Sequence, residues 1–160
     1  MVNVYEEEQK FSQWWIYLIL GGLFFVTAVS LAEPGSFDLN MGSWIGLALV
    51  LALIVLFAAL RLKTKISQLE ISFHYFPLFR KTVSWDEIDS VQITDYGFVG
   101  GWGIRLTKKY GIVYNTKGQH GLLVKLKSGK KFVIGTQQKK EIRAYLGELG
   151  KISQEKEVQV

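Results

Sequence analysis

Two long apolar runs occupy most of the first 60 residues. Residues 14–32 and residues 41–60 contain no charged side chain. A helix of about 20 residues is roughly 30 Å long, which matches the hydrocarbon thickness of a bilayer. Trp14 begins the first run and Trp44 lies near the start of the second, where membrane helices carry their aromatic side chains. The pattern predicts two transmembrane helices joined by an external loop, residues 33–40.

The charges around these runs set the predicted orientation. The loop carries no Lys or Arg, whereas Arg61, Lys63 and Lys65 follow the second run at once. Positively charged side chains are retained on the cytoplasmic side of a membrane. We therefore expect residues 1–13 to be a frayed, polar cytoplasmic segment and residues 61–65 to be a basic cytoplasmic linker.

A cleaved signal peptide is the alternative interpretation of the first run. Ser30-Leu31-Ala32 resembles the small-residue pattern of a cleavage site. Two features favour a true span, because the preceding flank is acidic rather than basic and the apolar run is longer than the core of a signal peptide.

Small residues in the two runs indicate where the helices pack. Gly42 and Gly46 are four positions apart, a spacing that lets membrane helices approach closely. Ala28 and Ala32 lie at the matching depth of the first run. We expect close packing at these positions, although glycines that are merely tolerated in a membrane helix produce the same pattern.

From residue 66 onward the apolar period changes to two, which is typical of strands. Short alternating segments continue to Thr136 with turn signals between them, and we count seven strands. An amphipathic helix follows from Gln137, with Thr136 as its expected N-cap. Its apolar positions are Ile142, Tyr145, Leu146 and Leu149. Residues 66–150 are thus a β-rich domain with a terminal helix, and residues 151–160 are a charged tail.

One motif within this domain carries a family resemblance. The run Gly100-Gly101-Trp102-Gly103-Ile104-Arg105 is followed in order by Tyr114-Asn115, Gly118, Gly121-Leu122, Gly129-Lys130-Lys131 and Ile134-Gly135-Thr136-Gln137. Together they resemble the GGWGIR signature of small bacterial membrane proteins that have two transmembrane helices and a pleckstrin-homology-like domain. The resemblance covers about residues 66–149.

The resemblance implies a fold and a location rather than a reaction. The expected fold class is a membrane-anchored, mostly β, α+β protein. Its transmembrane hairpin is followed by a seven-stranded antiparallel barrel, which the C-terminal helix caps. The expected location is the bacterial cytoplasmic membrane, with the domain in the cytoplasm. The chain departs from the pattern of this family at one point. The family often has a proline after the residues that match Gly135-Thr136-Gln137, whereas this chain has Gln138 and two lysines there.

Composition narrows the possible chemistry. The chain of 160 residues has no cysteine, which excludes disulfides and thiolate metal sites. His74 and His120 have no carboxylate or nucleophile at a catalytic spacing. The glycine-rich run precedes a strand, whereas a phosphate-binding loop opens a helix. We therefore expect no catalytic residue, no cofactor and no metal.

Charge is unevenly distributed between the two parts of the chain. Residues 1–60 hold one lysine against five acidic side chains, so the net charge of +5 arises from residues 61–160. Binding to nucleic acid is disfavoured, because the domain is tethered and no basic element interleaved with aromatics is present. Membrane lipids, a protein partner or a second copy of the chain remain as partners.

A candidate contact surface lies around Phe76-Pro77-Leu78-Phe79, where four apolar residues interrupt the alternation at a strand end. We expect this tip to contact lipid or a partner together with nearby cations. The candidate residues are Phe76, Leu78, Phe79, Arg80, Lys81, Arg61, Lys63 and Lys65.

The sequence thus favours a non-enzymatic module that binds a protein or a lipid headgroup at the membrane surface. The alternative is a subunit of a membrane enzyme or transporter complex whose site forms only in three dimensions.

Overall fold

The computed structural model describes residues 4–32, 41–97 and 101–152. The predicted external loop, Gly100 of the glycine-rich motif and most of the predicted tail lie outside these ranges. The chain divides into two compact units, one formed by Phe11–Leu60 and the other by Met1–Lys10 with Arg61–Val160. The first is called here the helical unit and the second the β unit.

The helical unit consists of α1, Trp14–Ala32, and α2, Met41–Ala59. Both helices are long and apolar enough to cross a membrane. Large apolar side chains such as Phe25 and Leu49 are exposed around them. The bounds agree with the prediction from sequence to within one residue.

The predicted small-residue packing differs from the structure at Gly46. A methyl group added there would meet no atom within 4 Å. Gly42 on the same helix is exposed, and Ala28 of α1 is only half-buried. The space beside the backbone of Gly46 is therefore open.

The described residues of the β unit form nine strands in two sheets. The first sheet has the order β1-β2-β3-β4, and its strands are Tyr5–Lys10, Arg61–Ile66, Glu70–Phe76 and Phe79–Ser84. The second sheet has the order β5-β8-β9-β7-β6. Its strands in chain order are Ile88–Asp95, Gly103–Thr107, Gly111–Asn115, His120–Leu126 and Lys131–Gly135. A single 3-10 turn, Trp85–Glu87, joins the sheets.

The core of the β unit lies between the two sheets. Phe73 of β3 reaches the second sheet, with ring centroids 4.7 Å from Tyr114 and 5.8 Å from Phe132. Alternate residues of each strand point into this layer, as the pleat requires. The fully buried side chains of this layer include Leu62, Ile66, Ile71, Leu122 and Ile134, whereas Val113 packs with Tyr96, Leu123 and Val133 in a separate cluster.

The prediction of a seven-stranded antiparallel closed barrel is wrong in two respects. The structure has two open sheets, and β7 pairs with β9 in parallel. Gly111, at φ +72°, lets β9 approach β7 closely, because a Cβ at this position would collide with the carbonyl of Lys131.

The two additional strands come from segments that were expected to lack structure. Tyr5–Lys10 was predicted to be frayed, and it forms β1 at the edge of the first sheet. Residues 61–65 were predicted to be a linker, and they belong to β2, which pairs with both β1 and β3. Leu62, Thr64 and Ile66 are buried, and this burial holds β2 in the sheet.

The C-terminal helix α3 spans Lys139–Glu148. Ile142 and Leu146 are buried, in agreement with the predicted apolar face. Thr136 is not the N-cap, because the helix begins two residues later than predicted, with Gln138 as the capping residue and no side-chain cap. The Thr136 hydroxyl instead accepts a hydrogen bond from the Gln138 N–H at 3.1 Å.

Candidate interaction surfaces

A buried carboxylate joins β1 to the second sheet. Glu7 is 5% exposed and accepts hydrogen bonds from the Thr136 hydroxyl at 2.6 Å and the Gln137 N–H at 2.7 Å. Its carboxylate also accepts from Tyr5 Oη at 2.7 Å and Gln9 Nε2 at 2.9 Å. Burial and the bond to Glu7 raise the pKa of Tyr5. Four neutral donors thus satisfy this carboxylate.

Gln9 extends the same network. Its Nε2 donates to the Gly135 carbonyl at 2.7 Å, and its Oε1 accepts from the Thr116 hydroxyl at 3.0 Å. We call Tyr5, Glu7, Gln9, Thr116, Thr136 and the Gln137 amide the β1 network. Because buried polar groups are costly when unpaired, the network fixes the position of β1 against the ends of β7 and β9.

On the outer face of β1 and β2, glutamates form ion pairs with the cations of the predicted basic linker. Glu8 lies 3.2 Å from Arg61 and 3.0 Å from Lys63, and Glu6 lies 2.8 Å from Lys65. The neighbouring lysines lower the pKa of both glutamates. The three cations therefore face carboxylates of the same sheet, which weakens their attraction to an external anionic surface.

The predicted tip divides into an exposed part and an inward part. Phe76 and Leu78 are 42% and 54% exposed. Phe79 is paired with Tyr75 on the inner face of the sheet, and its ring centroid is 5.5 Å from that of Tyr114. Phe79 therefore belongs to the core layer rather than to a contact surface.

The two cations after the tip also point to opposite faces. Arg80 is exposed and opposes His74 on the outer face. Lys81 opposes Phe73 on the inner face, with its Nζ 4.2 Å from the Phe132 ring centroid, and partial burial lowers its pKa. Of this pair, only Arg80 is placed to contact a partner.

The glycine-rich motif opens a strand, as predicted. Gly103 is the first residue of β6 and opposes Asn115 of β7. The Asn115 Oδ1 accepts from the Gly103 N–H at 2.9 Å, and its Nδ2 donates to the Tyr96 hydroxyl at 3.2 Å. The Tyr75 hydroxyl donates to the Asn115 carbonyl at 3.3 Å. The described part of the motif therefore anchors the start of β6.

The sequence did not predict the apolar surface on β6. Ile104 and Leu106 of β6 are 42% and 85% exposed. Leu106 directly opposes Ile112 of β7, which is 36% exposed, so these side chains share one face. We call Ile104, Leu106 and Ile112 the β6 edge. These side chains are exposed because β6 is the last strand of its sheet. The hydrophobic periodicity of a sequence does not reveal which strand is last.

A cavity of about 590 Å³ lies between the β7–β8 turn and the start of α3. Its lining residues are Lys117–His120 and Thr136–Glu141. The Thr136 N–H donates to the His120 carbonyl at 2.9 Å, which joins the two walls. The His120 Nε2 is 3.8 Å from the Asp95 carboxylate. Among the described residues, no group of three or more potential metal ligands is found.

No protein-family model matches this chain, and no curated protein matches it.

Proposed function

We propose that this protein is a membrane-anchored, non-enzymatic interaction module of the pleckstrin-homology-like class, which binds an extended segment of a partner protein at the cytoplasmic surface. The β6 edge is the observation that supports this proposal. A strand at the end of a sheet presents unpaired backbone groups, and a partner segment can add to it as a further strand.

The apolar side chains of the β6 edge favour occupation by such a segment. Most protein sheets protect their terminal strands with charges, prolines or bulges. Here Leu106 is 85% exposed, and Ile112 extends the same apolar face onto β7. A partner strand placed beside β6 would cover Leu106 with its own alternate side chains.

Charge defines the chemistry of the partner segment. Arg105 on β6 and Lys108 and Lys109 in the following turn are exposed. The ion pairs within the described residues involve other side chains. A segment with apolar residues alternating with Asp or Glu would therefore complement both the β6 edge and its basic flank.

The proposed location is supported by the helical unit and by the distribution of charge. Both helices qualify as membrane spans, and Arg61 follows α2 after a single residue. Since basic residues are retained on the cytoplasmic side, the β unit is proposed to be cytoplasmic.

Direct lipid contact at the tip is a second candidate function. Phe76 and Leu78 are exposed, and Phe76 opposes Arg61, the second residue after α2. The tip is thus paired with a strand residue that follows α2 closely along the chain.

The experiment uses a photo-reactive amino acid at position 112 of the full chain in native membranes. We expect a discrete adduct with a partner protein. Leu106→Lys should reduce its yield at least about fivefold, because a lysine beside position 112 disrupts the apolar face. Leu69→Lys is the matched control, since Leu69 is 79% exposed at the β2–β3 turn.

The result can also contradict the proposal. Equal loss of the adduct in both variants, or no adduct at position 112, excludes the β6 edge as a binding surface. An adduct between two differently tagged copies of this chain would show that the β6 edge binds a second copy rather than another protein. The same reagent at position 78 tests the second candidate, for which lipid adducts are expected.

A further inference from the structure

We propose that Lys81 is a site of covalent modification, at which an acyl phosphate transfers its acyl group to the side-chain amine. Lys81 belongs to β4 and is not part of the β6 edge, so this site is independent of the proposed function. Three features support it: the inward direction of the amine, the aromatic ring beneath it and the cation beside it.

The amine of Lys81 is held against the core of the β unit. β4 is a terminal strand of the first sheet, and Lys81 opposes Phe73 on the inner face of that sheet. The side chain is half-buried, and its Nζ lies 4.2 Å from the Phe132 ring centroid. This contact fixes the position of the amine, and the ring offers an apolar surface to the short chain of an acyl group.

The surroundings of Lys81 favour the neutral amine over the ammonium. Burial is the main cause of the lowered pKa of Lys81, and repulsion from Lys130 lowers this pKa further. The Glu87 carboxylate acts on the pKa in the opposite direction, and it also accepts a hydrogen bond from the Ser84 N–H at 3.2 Å. Because a protonated amine has no free electron pair, a lower pKa increases the fraction of Lys81 that can react as a nucleophile.

Lys130 favours a donor that carries a phosphate group. It is exposed in the turn before β9, and within the described residues neither Lys81 nor Lys130 forms an ion pair. A lysine ammonium binds phosphate as a point charge. In an acyl phosphate, a single oxygen joins the phosphorus to the carbonyl carbon. A phosphate that binds Lys130 therefore brings the reactive carbon towards Lys81.

The transfer is an ordinary acylation of an amine. The nitrogen of Lys81 attacks the carbonyl carbon and forms a C–N bond. The C–O bond to the phosphate breaks, and the phosphate leaves with the bonding electrons. The nitrogen gives up a proton to water, so the products are a neutral amide and inorganic phosphate. The inner face of β4 thereby loses a charge of the kind that protects terminal strands from pairing with another chain.

The test uses the full chain in phosphatidylcholine nanodiscs with acetyl phosphate, and peptide mass spectrometry follows the acetylation of each lysine. Lys109 and Lys151 are exposed, and their Nζ atoms lie 5.2 and 5.4 Å from the ring centroids of Tyr110 and Trp85. The comparison therefore isolates burial and the neighbouring cation from contact with a ring. We expect Lys81 to react at least about three times faster than these two lysines, since a pKa one unit lower raises the neutral fraction about tenfold and a less basic amine is somewhat less nucleophilic.

Lys130→Gln should slow the acetylation of Lys81 at least about threefold, because it removes both the charge that attracts the phosphate and one cause of the lowered pKa. Lys125→Gln is the matched control, since it removes an exposed lysine of β8, and it should leave the rate at Lys81 unchanged. An uncharged donor, the N-hydroxysuccinimide ester of acetate, separates the two causes. With this donor, Lys130→Gln should have a smaller effect.

Three outcomes would overturn the proposal. The first is that Lys81 reacts no faster than Lys109 and Lys151. The second is that Lys125→Gln slows the reaction at Lys81 as much as Lys130→Gln does, which would reduce the effect to general surface charge. The third is an equal effect of Lys130→Gln with both donors, which would exclude recognition of the phosphate.

Discussion

At the scale of single residues, Glu7 links β1 to the end of β9 through a buried carboxylate. A buried carboxylate without hydrogen bonds is strongly destabilising. Here donors from β1 and from the end of β9 converge on both oxygens. Its position in a short polar segment concealed this role, since a glutamate there also fits a solvated, frayed terminus.

We expect Glu7→Ala to lower the free energy of unfolding of the β unit by about 2–4 kcal/mol, because it leaves several buried donors without an acceptor. Glu7→Gln should have a smaller effect, since its carbonyl oxygen still accepts. The measurement is thermal unfolding of the full chain in detergent, followed by near-UV circular dichroism.

Glu6→Ala is the control for this prediction. Glu6 lies on the outer face of the same strand and pairs with exposed Lys65, so the unfolding midpoint should hardly change. Equal effects of Glu6→Ala and Glu7→Ala would show that β1 is held by its backbone alone.

The tip shows what a sequence pattern can and cannot decide about single residues. The apolar run around Pro77 correctly marked a strand end, and Phe76 and Leu78 are exposed there. Phe79 and Lys81 were assigned to the same surface, yet they face inward. The orientation of a strand residue depends on where pairing resumes after a turn, and a one-residue change reverses every side chain.

At the scale of elements, the strongly periodic segments were predicted well and the short polar strands were not. The apolar face of α3 and both long helices match the sequence pattern. β1 and β2 have only six residues each, and their inward positions include Glu7, Gln9 and Thr64. Polar residues on the inner face hide the alternation that identifies a strand.

Two neighbouring substitutions in α3 should have opposite effects. Leu146 is fully buried, so Leu146→Ala should destabilise the β unit by about 2–4 kcal/mol through the lost contacts and the cavity left behind. Gly147→Ala should stabilise it by up to about 1 kcal/mol, because a methyl group there meets no atom within 4 Å.

Urea denaturation of the two variants in detergent measures both effects. A neutral result for Leu146→Ala would mean that α3 does not contribute to the core. A destabilising Gly147→Ala would indicate that the glycine is needed for a contact outside the described residues.

At the scale of the whole molecule, the helical unit lies along the chain between two strands that pair with each other. β1 ends at Lys10 and β2 begins at Arg61, and these two residues oppose each other in the sheet. The sequence could not reveal this pairing, because the partners are separated by both long helices and polar residues interrupt the apolar alternation on the inner face of both strands. The paired ends also explain why β1 belongs to the β unit despite its distance along the chain.

The pairing of Lys10 with Arg61 offers a route to a water-soluble form of the β unit. Residues 11–60 could be excised and replaced by Asn-Gly, the two-residue connection that best joins adjacent antiparallel strands. We expect this shortened chain to be monomeric without detergent and to keep the amide NMR shifts that the residues of the β unit have in the full chain. A fragment that starts at residue 66 should aggregate, because it lacks β1 and nearly all of β2.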